Sequence, residues 1–175
     1  MEPFVYTYTG KKFHFLNPHP DEICIEDIAH SLSLKCRFNG HTASFYSVAQ
    51  HCIQMSSWEK QYPEWLLFHD AAEAYIGDIA TPIKRHFPEI QEMERQILYV
   101  IAEKYNLITP IPFAWIYCVD QRMLATEKRD ILLHDLKWEN LVPYPYEQKI
   151  LPVKAETVEK MFINRVKELG MGDLI

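Results

Sequence analysis

The chain has 175 residues, 48% of them hydrophobic, which suits one domain with a sizeable core and leaves too little for two. A formal net charge of −6 argues against a nucleic-acid partner, because coating a polyanion needs basic stripes that displace counterions, whereas a small anionic ligand needs only a local cluster of cations. No stretch approaches the ~18 uninterrupted apolar residues of a membrane span, and Met1-Glu2-Pro3-Phe4 lacks a basic region followed by an apolar one, so a cytoplasmic protein without membrane attachment is expected.

Val5-Tyr6-Thr7-Tyr8 and Lys12-Phe13-His14-Phe15 alternate aromatic and polar residues around Thr9-Gly10, which predicts a hairpin that ends at Asn17-Pro18-His19-Pro20. From Cys24 to about Leu34, Ile25, Ile28, Ala29 and Leu32 recur at helical spacing, with Glu26 and Asp27 in the first turn where the helix dipole favours them. Arg37-Phe38-Asn39-Gly40-His41-Thr42 breaks the pattern. Further helices are expected at 44–57, 63–75, 88–105, 112–134 and 155–169, bounded by Pro, Gly or capping side chains. Val142-Pro143-Tyr144-Pro145-Tyr146 reads as a rigid connector.

The resulting expectation is an all-α helical bundle with a short N-terminal β-hairpin, forming one domain over residues 1–175. Within it, 1–20 is hairpin and connector, 21–135 the helical core, and 136–175 a C-terminal connector and helix. Cys24, Cys36, Cys52 and Cys118 have no CxxC spacing and sit in apolar or helical contexts, so reduced core thiols are expected rather than disulfides or a zinc ribbon.

The chemistry concentrates in Phe68-His69-Asp70-Ala71-Ala72-Glu73-Ala74-Tyr75-Ile76-Gly77-Asp78. Adjacent helical residues point about 100° apart, so His69 and Asp70 share a metal only if it lies in the wedge between them, and other helices must complete the site. His51 and Asp120 would make a His, His, Asp, Asp set suited to a divalent first-row metal. Asp120 falls mid-helix where packing alone would favour an apolar residue; the bland alternative is a surface pair with Arg122 or Lys128. Glu73 lies one turn beyond His69 and Asp70, within reach of a water, although a helical Glu is usually just solvated. Asp78 follows Gly77 and could instead cap the next helix.

In chain order, Arg37, Val48-Ala49-Gln50-His51, His69-Asp70-Ala71-Ala72-Glu73, Gly77-Asp78, Thr81-Pro82-Ile83-Lys84 and Val119-Asp120 occupy about half of the chain. With these motifs the chain resembles the HD-domain phosphohydrolases, in particular the small HD 5'-deoxynucleotidases and the phage-type deoxynucleoside triphosphohydrolases. The resemblance implies an HD-domain bundle in which His51, His69, Asp70 and Asp120 ligate one divalent transition metal. Co, Mn or Zn is implied, with Fe or Ni next and Mg with a triphosphate substrate. It also implies catalytic roles in water and proton management for Glu73 and Asp78, phosphate binding by Arg37 and Lys84, a nucleotide substrate and a homo-oligomer. Phe38 and His41, beside Arg37, are the candidates for contact with base, sugar or phosphate, while His30 reads as structural. Gln50 departs from the family, which often has Glu before the first ligand histidine.

The reaction so implied is metal-assisted hydrolysis of the 5'-phosphoester of a deoxynucleotide, either a dNMP or a dNTP such as dATP. The rivals are a cyclic- or signalling-nucleotide phosphodiesterase, a non-catalytic nucleotide-binding HD module, and an all-α adaptor that binds no metal.

Overall fold

The computed structural model describes residues 2–134, 137–138 and 144–172. It is mostly helical, with an antiparallel pair of two-residue strands at the N-terminus: β1 (Val5–Tyr6) and β2 (Lys12–Phe13), in register Val5 to Phe13 and Tyr6 to Lys12. The ladder is shorter than the sequence pattern suggested because the chain turns at once, with Thr7 N–H on Lys11 O and Gly10 N–H on Thr7 O. Gly10 takes φ +83°, where a side chain would be strained. The hairpin is held by Asp27, which accepts from Thr9 N–H (2.7 Å), the Thr9 hydroxyl (2.9 Å) and the Cys24 thiol (2.9 Å).

Helix α1 (Ile25–Leu34) buries Ile25, Ile28, Ala29 and Leu32, the spacing that predicted it. Helix α2 (Val48–Trp58) starts later than expected, because Ser47 caps it by accepting Gln50 N–H at 3.1 Å. The loop between them is closed as an antiparallel bridge, with Arg37 N–H on Tyr46 O and Val48 N–H on Lys35 O.

The expected helix over 63–75 is interrupted. Helix α3 (Pro63–Phe68) stops at His69, residues 69–72 form tight turns, and α4 spans Glu73–Ile76. Ala71 N–H bonds to Phe68 O, Glu73 N–H to Asp70 O and Ala74 N–H to Ala71 O, all i to i+3. Three residues per turn stack Glu73 over Asp70 and open the His69–Asp70 angle beyond that of an α-helix. The short α5 (Thr81–Lys84) was not anticipated. Then come α6 (Pro88–Tyr105) and α7 (Phe113–Asp130), which ends before the expected 134, and α8 (Ala155–Glu168).

The core centres on Phe13, Leu32, Met55, Trp65, Leu66, Phe68 and Phe162, with α8 laid across α1 and α2. Of the cysteines, only Cys52 is buried; Cys118 is exposed on α7, contrary to the expected core position, and all four are free thiols. Residues 142 and 143 of the Pro-rich connector lie outside the described residues. The following segment is strapped to the bundle by Arg129, which donates to Tyr146 O and Gln148 O, and by Asp130, which accepts Ile150 N–H. Among the described residues no helix is long and apolar enough to cross a membrane.

Candidate active site

Two helices and one turn bring the four residues of the expected ligand set together. His51 comes from the middle of α2, His69 and Asp70 from the turn after α3, and Asp120 from α7. His51 Nε2 lies 3.3 Å from His69 Nε2 and 3.3 Å from Asp120 Oδ1, and His69 Nε2 lies 3.2 Å from Asp70 Oδ2.

The outer nitrogens decide what these inner atoms are. His51 Nδ1 is 2.7 Å from a carboxylate oxygen of Glu127, and His69 Nδ1 is 2.9 Å from the carbonyl of Leu66. Both partners only accept, so both Nδ1 atoms carry a proton and both rings turn Nε2 inward, where a neutral ring offers a lone pair. Two ring nitrogens facing each other at 3.3 Å, flanked by two carboxylates, call for a cation between them or a proton on one of them. Ligands held about 2.0–2.1 Å from a tetrahedral ion lie about 3.3 Å from one another, close to the His51–His69, His51–Asp120 and His69–Asp70 separations, while His51 to Asp70 is wider at 3.9 Å. The donor atoms of His51, His69 and Asp120 lie within 4.8 Å of one another and suit a divalent transition ion in type, while Asp70 groups with His69 and Cys52.

The local field agrees. Burial pushes the Asp70 carboxyl up, but His69, His51 and Arg37 outweigh it and hold it well below the ordinary range. Burial likewise opposes ionisation of Asp120, which His51 and Arg37 nevertheless keep low. Burial opposes charge on His69, yet Asp70 and Cys52 raise its imidazole well above the usual value, so the ring competes for a proton at the place an ion would fill.

Arg37 packs, largely but not fully buried, against this cluster. Its Nη1 lies 3.5 Å from Asp70 Oδ2 and its Nη2 4.0 Å from Asp120 Oδ1, while Nη2 also donates to Glu127 Oε2 at 3.2 Å. Burial works against the guanidinium charge, but Glu127, Asp120 and Asp70 reverse the balance and push its pKa up. Asp120 thus faces His51 and Arg37; the alternative partner Arg122 turns away to Glu59 at 3.3 Å and lies over the Tyr146 ring.

Glu73 and Lys84 sit together at one side, with Lys84 Nζ 3.4 Å from Glu73 Oε1. Burial, reinforced by Asp70 and Asp78, raises the Glu73 carboxyl well above its ordinary value, and Lys84 and Arg37 only partly offset this. Glu73 Oε2 is buried with no hydrogen-bond partner among the described residues. Burial also raises Asp78, with Arg37 opposing and Asp70 adding to the shift.

The specificity candidates divide. Phe38 adopts φ 55°, ψ 31°, a left-handed conformation, and its ring lies under the Arg37 guanidinium at 5.4 Å and 6.3 Å from Trp138. His41 is exposed and closes the turn through its backbone N–H on Phe38 O, with no hydrogen bond from its ring to the cluster. His30 stacks on Tyr8 and pairs with Glu159, a structural use.

Sequence reasoning missed Glu127 and Glu94. Glu127 is wholly buried behind His51 and Arg37, and Glu94 pairs with Lys84, the same ammonium that pairs with Glu73. Both stand in charged helical stretches that look solvated. The one available signal for Glu127 was its place seven residues after Asp120, on the same face of α7.

Residues 40–130 match the family model described as 5'-deoxynucleotidase YfbR-like. The chain is 41% identical over 175 residues to YfdR of Escherichia coli (strain K12), an uncharacterized protein, covering 95% of this chain and 96% of that one. An uncharacterized Rhodobacter capsulatus protein is 38% identical over 115 residues, 59% of each chain. A matched segment that runs from the Gly40 loop through Asp120, on a helical bundle with a convergent His and Asp cluster, leads to one conclusion: the chain belongs to the YfbR-like family of HD-domain 5'-deoxynucleotidases.

Proposed function

We propose that this protein is a metal-dependent 5'-deoxynucleotidase that hydrolyses a deoxynucleoside 5'-monophosphate to deoxynucleoside and phosphate. The observation that carries the reading is the convergence of four acceptor groups, His51, His69, Asp70 and Asp120, beside a largely buried arginine. These four residues would hold the ion, which supplies Lewis-acid activation of phosphate and water when bound.

The chain's own residues account for the remaining work. Arg37, kept cationic by the surrounding carboxylates, offsets charge that builds on phosphate oxygens as the ester bond breaks. Lys84 adds a second cation, held between Glu73 and Glu94. Glu73, whose carboxyl retains its proton more readily than an ordinary glutamate, is suited to protonate the departing 5'-oxygen, with Asp78 the second acidic group. Phe38 offers a ring face to the base or sugar at the open end of Arg37.

The same bond is cut when a dNTP releases triphosphate. The test is a screen of dNMPs, dNTPs, ribonucleotides and cyclic nucleotides with Co, Mn, Zn, Ni and Mg, with products resolved as phosphate, pyrophosphate or triphosphate. Release of phosphate from dNMPs supports the reading. Triphosphate from dNTPs alone would replace it with a triphosphohydrolase, and turnover of cyclic nucleotides alone with a phosphodiesterase. No turnover together with tight nucleotide binding would leave a sensor.

A further inference from the structure

Glu127 is an ionisable side chain with no exposure at all, and it belongs neither to the inward-facing acceptor cluster nor to the Glu73, Asp78 and Lys84 group. One of its oxygens takes the Nδ1–H of His51 at 2.7 Å, and the other takes an Nη2–H of Arg37 at 3.2 Å. The Nε of Arg37 also lies 3.0 Å from the oxygen already used by His51, close enough for charge attraction but without hydrogen-bond alignment. A single carboxylate therefore grips, from behind, one residue of the acceptor cluster and the arginine that faces it.

Arg37 faces three carboxylates, Glu127, Asp70 and Asp120. Two of these are the oxygen donors that a divalent ion would use. A guanidinium free to move would settle on Asp70 and Asp120, the nearest remaining anions, and compete for the same lone pairs. Glu127 is the one counter-ion in the set that points away from the cluster.

We infer that Glu127 is a positioning residue that fixes the inward-facing tautomer of His51 and holds Arg37 off the metal-ligating carboxylates, which makes metal affinity and arginine placement one coupled property. The inference rests on the reading of His51, His69, Asp70 and Asp120 as a metal site. Removing a hydrogen-bond partner behind a metal-bound histidine typically weakens metal binding about 10–100-fold. Here a second contribution adds to it, through the released arginine.

The test is Co(II) titration of metal-stripped protein, followed by d–d absorption, for the unmodified chain, Glu127→Gln, Arg37→Met and the double variant. Circular dichroism checks that each is folded. In Glu127→Gln the amide is a donor where Arg37 needs an acceptor, so Co(II) affinity should fall about 10–100-fold. In the Arg37→Met background no guanidinium is left unpaired, which keeps that comparison informative if the single variant fails to fold. There the added Glu127→Gln change should still weaken Co(II) binding, because an amide oxygen accepts the His51 Nδ1–H less strongly than a carboxylate does, but by a smaller factor, since no arginine remains to intrude. Co(II) affinity in folded Glu127→Gln within about twofold of the unmodified chain would overturn the inference, as would equal losses in both backgrounds, which would remove the coupling. Failure of the unmodified protein to bind Co(II) would be a different result: it would sink the metal reading itself, and this inference with it.

Discussion

Glu73 and Lys84 face each other at 3.4 Å across the segment joining α4 to α5, and Glu94 pairs with the same ammonium. Lys84 is thereby held in place while Glu73 keeps one buried oxygen without a partner. Glu73→Gln should retain metal and nucleotide binding but lose about 10²-fold or more in kcat, the usual scale for a positioned proton-transfer group. Steady-state kinetics beside metal analysis checks this; an unchanged kcat would move the proton role to Asp78.

Replacing His69 or Asp70 with Ala should abolish metal content and turnover together while the far-UV spectrum stays helical. Both side chains enter the cluster from a tight turn rather than from a core helix, and the apolar side chains around them remain packed. Elemental analysis of purified variants measures the first effect and product assay the second. Full metal occupancy in His69→Ala would remove the assignment.

Phe38→Ala should alter the ratio of activities among nucleotides while leaving metal content unchanged, because the ring sits against Arg37 rather than against the acceptor cluster. His41→Ala, at an exposed residue whose backbone N–H closes the turn on Phe38, should shift those ratios much less than Phe38→Ala. Parallel kcat/KM values on several dNMPs and matching ribonucleotides distinguish the two. Uniform scaling on every substrate would make this loop scaffold only.

Acid should loosen the attachment of the hairpin. Burial pushes the Asp27 carboxyl up, but the Cys24 thiol and the donors of Thr9 outweigh it, leaving the folded pKa below its ordinary value of 3.8. A carboxyl depressed in this way adds stability that is fully present above its unfolded pKa and disappears as the pH falls through the folded one. Asp27→Asn should therefore cost about 1–3 kcal/mol at neutral pH, with the gap to the unmodified chain closing below about pH 4. Thermal melts across that range check the trend, and a constant gap would assign the loss to packing.

Much of this arrangement was legible in the chain itself. The 3.6-residue spacing of Ile97, Leu98, Ile101 and Ala102 marks α6 over the expected 88–105, and the four acceptor residues do converge. What escaped was governed by contacts distant in sequence. Residues 69–72, Ala-rich and helix-compatible, look like continuous helix until the i to i+3 bonds are seen. Glu127 lies within Thr126-Glu127-Lys128-Arg129-Asp130, which reads as a solvated face, and only packing against His51 reveals that its carboxylate is buried. Gln50, a departure from the family's frequent Glu, has its reason in a segment a hundred residues away. Its amide donates to Leu151 O at 2.8 Å and its oxygen accepts Val153 N–H at 3.0 Å, and a carboxylate could do only the second.

That pair of bonds bears on how the protein is made. All four members of the acceptor cluster have been synthesised by residue 120, yet α2 is still missing the strap at 151–153 and the helix that covers it. Phe162 packs edge-on against Phe68, the neighbour of His69, and Arg165 clamps Ser56, five residues after His51 on the same helix. A ribosome-bound chain that has exposed His51, His69, Asp70 and Asp120 thus carries the right atoms on a scaffold that still lacks the contacts of the 151–153 strap and of α8.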